Sequence, residues 1–121
     1  MNIHEKINYI EIPTKNITTT KRFFTQAFGI SFVDYGPQYT AFSGAGIDGG
    51  FYQADLSAST KNGSVLVVFY SNNLTQTQSK IIAAGGTIIK PIFTFPGGRR
   101  FHFCDPNQNE FAVWSDVGIN E

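Results

Sequence analysis

A single cysteine, Cys104, rules out an internal disulfide and suits a reducing compartment. Charge of one sign is equally scarce, because nine Lys and Arg balance nine Asp and Glu for a formal net charge of zero. No basic run offers a continuous stripe to a phosphate backbone, which argues against nucleic acid as a partner. Long apolar runs are missing too. The segment from Met1 to Ile10 carries Asn2, His4, Glu5 and Lys6, so it has neither the apolar centre of a secretory signal nor the length of a membrane span. A cytoplasmic protein with no membrane partner is the expectation. Two further absences narrow the chemistry. Gly44, Gly46, Gly49 and Gly50 are not followed by Lys-Ser, Lys-Thr or a helix, so they read as turns and not as a phosphate loop. Ser43, Ser57 and Ser115 lack the sharp elbow of a serine nucleophile.

Aromatic residues are abundant instead: twelve Phe and five Tyr in 121 residues. That length has room for one domain burying roughly two thirds of the surface of its unfolded chain, with no need of metal or disulfide for stability. An internal repeat organises it. At a spacing of 57 residues, NITTTKRFFTQAFG from Asn16 to Gly29 lies over NLTQTQSKIIAAGG from Asn73 to Gly86. Apolar residues at helical spacing, Ile17, Phe24 and Phe28 in one copy and Leu74, Ile81 and Ala84 in the other, make both amphipathic helices. The leading Asn accepts from free amides of the first turn, and the closing Gly tolerates the left-handed backbone that ends a helix.

Each helix follows a β-rich run, Lys6 to Ile12 and Ser64 to Tyr70. Each is followed by three strand candidates: Ser31 to Tyr35, Tyr39 to Ser43 and Phe51 to Ala54, then Thr87 to Lys90, Arg100 to Cys104 and Glu110 to Trp114. The reading is an α+β chain of two halves, module one over about 5–55 and module two over about 64–117, joined by a polar linker at about 55–63 within one domain, 1–121. Phe95-Pro96-Gly97-Gly98 reads as a loop that could gate a cavity or as an ordinary turn. Strand alternation puts Ile10 and Ile12 under the helix and turns Ile7, Tyr9 and Glu11 the other way. The repeat carries Tyr9 onto Leu66 and Glu11 onto Val68, so Leu66, Val68 and Tyr70 form the matching face.

The run INYIEIPTKNITTTKRFFTQAFGI and the segment GGRRFHFCDPNQNEFAVW, with Phe28-Gly29, Gly85-Gly86 and Asp105-Pro106 in that order, resemble the vicinal oxygen chelate superfamily. It includes glyoxalase I, bleomycin-resistance proteins and ring-cleaving extradiol dioxygenases. The resemblance implies two tandem βαβββ modules whose sheets form a U-shaped cavity, commonly completed in a homodimer. It also implies metal ligands on the first and last strands of each module. Here those positions fall on Tyr9, on a stretch from Gly50 to Ala54 with no His or Glu, where Gln53 and the flanking Asp48 and Asp55 offer oxygens whose direction depends on register, on Leu66 and on Ala112. Leu66 and Ala112 cannot coordinate an ion, so no metal and no cofactor is the expectation.

The remaining chemistry centres on His102, where the ring-cleaving relatives carry a Tyr. Alternation puts Arg100 and His102 on one face and Phe101 and Phe103 on the helix side. His102 could act as acid or base or merely space the wall, Arg100 or Arg99 could hold a carboxylate or phosphate, and Glu11 could orient His102 or balance Arg100. Tyr9, Phe51, Gln53, Leu66, Val68, Tyr70, Arg100, His102 and Trp114 are the expected ligand-binding wall. Two functions follow: metal-independent binding or sequestration of a small aromatic or amphiphilic molecule, in the manner of bleomycin-resistance proteins, or a lyase, isomerase or dioxygenase-like enzyme using His102 and Glu11.

Overall fold

The structure, a computed structural model, describes residues 2–118. Chain order is β1 (Tyr9–Thr14), α1 (Ile17–Phe28), β2 (Ser31–Asp34), β3 (Tyr39–Ser43) and β4 (Asp48–Gln53), then a 3-10 turn (Thr60–Asn62), β5 (Val67–Tyr70), α2 (Leu74–Ala83), β6 (Thr87–Phe95), β7 (Gly98–Cys104) and β8 (Glu110–Ser115). These are two βαβββ modules in an α+β fold, as the repeat requires. Each forms a four-stranded sheet, ordered β1-β4-β3-β2 in the first (sheet A) and β5-β8-β7-β6 in the second (sheet B). In both, the first strand runs parallel to the last and the other pairs are antiparallel.

The repeat reaches down to hydrogen bonds. Asn16 accepts from the Thr19 amide at 3.0 Å and Asn73 from the Gln76 amide at 3.2 Å, each capping its helix. Just before each cap, two hydroxyls bond at 2.7 Å, Thr14 to Thr20 in one module and Ser71 to Thr77 in the other. Gly29 then ends α1 with φ of 68°, and its amide returns to the carbonyls of Phe24 and Thr25.

Helix α1 lies against both sheets. Phe24 packs on Phe51 of sheet A at 5.4 Å and on Phe111 of sheet B at 5.2 Å between ring centroids, while Phe28 stacks on Phe69 at 4.2 Å. Phe23, Phe24, Ile81, Phe101, Phe103 and Val113 are fully buried, so the core draws on both halves. Ile10 and Ile12 face it as expected, and Phe101 and Phe103 lie under the helices.

Several boundaries differ from expectation, among them β4, which starts at Asp48 and not at Phe51, and β7, which starts at Gly98 and not at Arg100. β1 and β5 begin at Tyr9 and Val67, three residues late, because pairing with the last strand of each module starts only at Tyr9↔Asp48 and Val67↔Phe111. β6 continues through Pro91 to Phe95 with register shifts, which an edge strand permits because its outer amides need no partner. Phe95 pairs with Gly98 across Pro96 and Gly97, with Gly97 at φ of 109°, so this segment is a tight hairpin and not a loose gate. The linker is docked as well: Ser57 bonds to the Asn107 carbonyl, and the Ala58 amide to the side chain of Asn109.

Candidate functional site

Away from the helices, each sheet presents an open face, and strand register decides what stands on it. On sheet A, Tyr9 pairs with Asp48 and Glu11 with Gly50. On sheet B, Val68 pairs with Ala112, Tyr70 with Trp114, Trp114 with Arg100, and Ala112 with His102. Tyr9, Glu11, Val68, Tyr70, Arg100, His102 and Trp114 therefore lie on these open faces, and Leu66, just before β5, continues the row of Val68 and Tyr70. Two expected wall residues do not. Phe51 is 3% exposed and packs on Phe24 on the helix side. Gln53 shares that side of β4 and donates its amide to the Lys15 carbonyl. Both sit one residue out of phase with the open face, whose β4 members are Asp48, Gly50 and Tyr52.

The face of sheet A is closed over by a residue that strand alternation alone would not have singled out. Tyr39 of β3 donates to Glu11 at 2.9 Å and bonds the Tyr9 hydroxyl at 2.5 Å. A Cβ on Gly50 would collide with the Tyr39 phenol oxygen, so the missing side chain of Gly50 is what admits that ring. Burial, followed by the hydrogen bonds with Tyr9 and Glu11, raises the Tyr39 phenol above its ordinary range. Glu11 is thus committed within sheet A, contrary to the expectation that it orients His102 or balances Arg100.

The partner of His102 is Glu110, two residues before Ala112 on the same face of β8. His102 Nδ1 lies 2.8 Å from Glu110 Oε2, and His102 Nε2 lies 3.1 Å from Arg100 Nη2. Glu110 also accepts from the amide and hydroxyl of Thr60 at 2.8 and 2.9 Å. Burial works to raise the Glu110 carboxyl, but the hydrogen bonds from His102 and Thr60 outweigh it and hold the group below the ordinary glutamate range. The result is one chain from Thr60 through Glu110 and His102 to Arg100, whose guanidinium lies 5.9 Å from the Phe95 ring. Period-two alternation back from Ala112 could have found Glu110; nothing local in the polar linker signals Thr60.

Between the unpaired edges of β1 and β5 lies an apolar cleft of about 330 Å³, lined by Ile10, Ile12, Phe24, Phe51, Val68 and Tyr70 among others. Val68 and Tyr70 border both the cleft and the open face of sheet B, and Tyr70 meets Trp114 edge-on at 5.2 Å. Phe51 borders this cleft from the core side.

The metal positions implied by the resemblance do not fit a divalent ion. Tyr9 is hydrogen-bonded to Tyr39, the stretch from Gly50 to Ala54 has no His or Glu and its Gln53 is bonded to the Lys15 carbonyl, and Leu66 and Ala112 offer no donor atom. Among the described residues no group of three or more His, Cys, Asp and Glu is arranged to hold a metal. Among them, too, no helix is long and apolar enough to cross a membrane.

Comparison with known proteins bears on the same architecture. A glyoxalase-related enzyme from Fulvimarina pelagi superposes with a TM-score of 0.76 at 15% identity, covering 92% of this chain and 88% of that one. A glyoxalase/bleomycin resistance protein/dioxygenase family enzyme from Burkholderia phytofirmans gives 0.75 at 19%, covering 91% and 98%. A genomically encoded fosfomycin resistance protein from Listeria monocytogenes gives 0.75 at 19%, covering 93% and 94%. Comparison with curated proteins finds no match to the sequence. Residues 6–113 match the family described as Glyoxalase/Bleomycin resistance protein/Dioxygenase superfamily. With nearly the whole chain matched and the tandem βαβββ fold in place, this protein belongs to that superfamily.

Proposed function

We propose that this protein binds a small aromatic or amphiphilic molecule without a metal, using the cleft between β1 and β5 and the adjoining open face of sheet B. One observation carries the reading: two of the positions implied for metal ligands hold Leu66 and Ala112, which have no donor atom, and the stretch from Gly50 to Ala54 has no His or Glu, while the surroundings are apolar and aromatic with a few fixed polar groups. That is the usual make-up of a small-molecule site. Tyr70 and Trp114 supply exposed aromatic area beside the cleft. The unpaired edges of β1 and β5 border the cleft, and a homodimer that covers them would complete the pocket. The protein works in the cytoplasm on this reading.

The test is thermal stabilisation by a panel of aromatic and amphiphilic compounds in the presence of a chelator. A true ligand at a hundred times its Kd adds about 2.7 kcal/mol of stability. Y70A and W114A should weaken that response, whereas loss of binding on chelation would refute the metal-independent reading. A second reading, a lyase, isomerase or dioxygenase-like enzyme, is favoured by the Glu110–His102 contact, since a carboxylate behind an imidazole is how a base is commonly oriented. H102Q and W114A separate the two: an enzyme loses turnover in H102Q while still binding its substrate, whereas a binding protein loses affinity mainly in W114A.

A further inference from the structure

A guanidinium accepts no hydrogen bond, so the 3.1 Å contact between Arg100 Nη2 and His102 Nε2 requires the lone pair to sit on Nε2. The ring proton is then on Nδ1, 2.8 Å from Glu110 Oε2. The imidazole is neutral in this arrangement, with its one proton and its one lone pair both committed. It passes the anchoring of Glu110, itself held by Thr60, on to Arg100.

Arg100 has the opposite character. Its Nε is buried without a hydrogen-bond partner. Among the described residues no carboxylate lies within ion-pair distance of it, because Glu110 is spent on His102 and Thr60. Lys90, paired with His102 across β6, adds a second cation to this part of the sheet. A partly desolvated guanidinium with no counter-anion is costly, and its planar fork matches an oxyanion with two equivalent oxygens. Beside it stand Phe95, 5.9 Å away, and Trp114, whose ring lies 6.3 Å from that of Phe95.

We propose that Arg100 is an anion clamp, positioned by His102 and Glu110, and that the ligand is an aromatic acid. Its carboxylate or phosphonate sits on Arg100 and its ring lies against Phe95 and Trp114. Adjacent strands are about 4.8 Å apart, so Tyr70, two strands from Arg100, stands about 10 Å away at the edge of the apolar cleft, and a longer apolar body would extend into it. This rests on the reading of the cleft and open face as a ligand site, and it assigns the charge and shape of the occupant.

Trp114 is the only tryptophan, so its emission reports on this spot alone. Benzoate, phenylphosphonate and the neutral benzamide would each be titrated into the whole protein. At least one of the two acids should quench saturably with an affinity about tenfold above that of the amide, the usual worth of a charge-assisted contact; which acid does so separates a carboxylate site from a phosphonate site. R100Q should erase that preference. H102L should erode the preference in the same way, and H102Q, whose carboxamide still offers an acceptor and a donor, should restore most of it. Equal binding of acids and amide, or an R100Q protein that still prefers acids, overturns the clamp while leaving a ligand site standing. If none of the three quenches saturably, the clamp and the open face as a ligand site both fall. An H102L protein that folds and keeps the full preference overturns the positioning role of His102.

Discussion

Asp105 stands at the start of the β7–β8 turn, 1% exposed, and its two oxygens have different surroundings. Oδ1 accepts from the amides of Asn107 and Asn109 at 2.9 and 3.0 Å, while Oδ2 is buried with no partner. Burial dominates these bonds and pushes the carboxyl from 3.8 up to about 6. The folded protein therefore holds this proton up to about pH 6, whereas the unfolded chain releases it near 3.8. Its contribution to stability is fully present below pH 3.8 and is lost as pH rises through 6. The displacement corresponds to about 3 kcal/mol in full, of which about 1.4 kcal/mol is regained between pH 7.5 and pH 5. Glu110 runs the other way: held below the ordinary glutamate range, it stabilises above that range and loses its effect only in stronger acid. D105N keeps the Oδ1 acceptor and cannot ionise, so it isolates the carboxyl. Urea unfolding of both proteins from pH 5 to 7.5 should show wild type gaining about 1.4 kcal/mol on the variant as pH falls, a melting difference of about 5 °C. A difference that stays flat, or grows with rising pH, would refute the buried, half-satisfied carboxyl as its source.

Two other substitutions probe how the modules are held. F24A removes the ring that touches Phe51 and Phe111 at once; it should cost about 3–5 kcal/mol in urea unfolding, and a loss below about 1 kcal/mol would show that α1 does not bind the two sheets together. G50A forces Tyr39 off Glu11 and Tyr9 and should cost about 1–3 kcal/mol. Y39A should relieve most of that clash, so the double variant should lose less than the two single losses combined, and strict additivity would place the collision elsewhere.

Local pattern carried a good deal of this protein. The Asn at the start of each repeated segment caps its helix as read, and Gly29 ends α1 in the left-handed conformation, since capping depends on residues within one turn; α2 ends instead at Ala84 with a right-handed backbone. Alternation put Arg100 and His102 on one face and Phe101 and Phe103 on the other, because side chains on a paired strand change sides at every residue. The same rule failed for Phe51 and Gln53. The phase of β4 is set by its register against β1 and β3, which its Gly-rich sequence does not encode.

The partnerships at the site lay further from reach. Glu11 and Glu110 are both acidic residues on open strand faces, and only the spatial arrangement gives the first to Tyr39 and the second to His102. Thr60 joins the chain because a polar linker folds back onto the start of β8, through contacts about fifty residues apart in sequence. Periodicity and residue chemistry were enough for two βαβββ modules, the core faces of β1 and β7 and the lack of donor atoms at Leu66 and Ala112. Which acid meets which base, and that Arg100 lies beside a committed Glu110 with no carboxylate of its own, came from the fold, because both depend on strand register and loop docking and no local pattern records either.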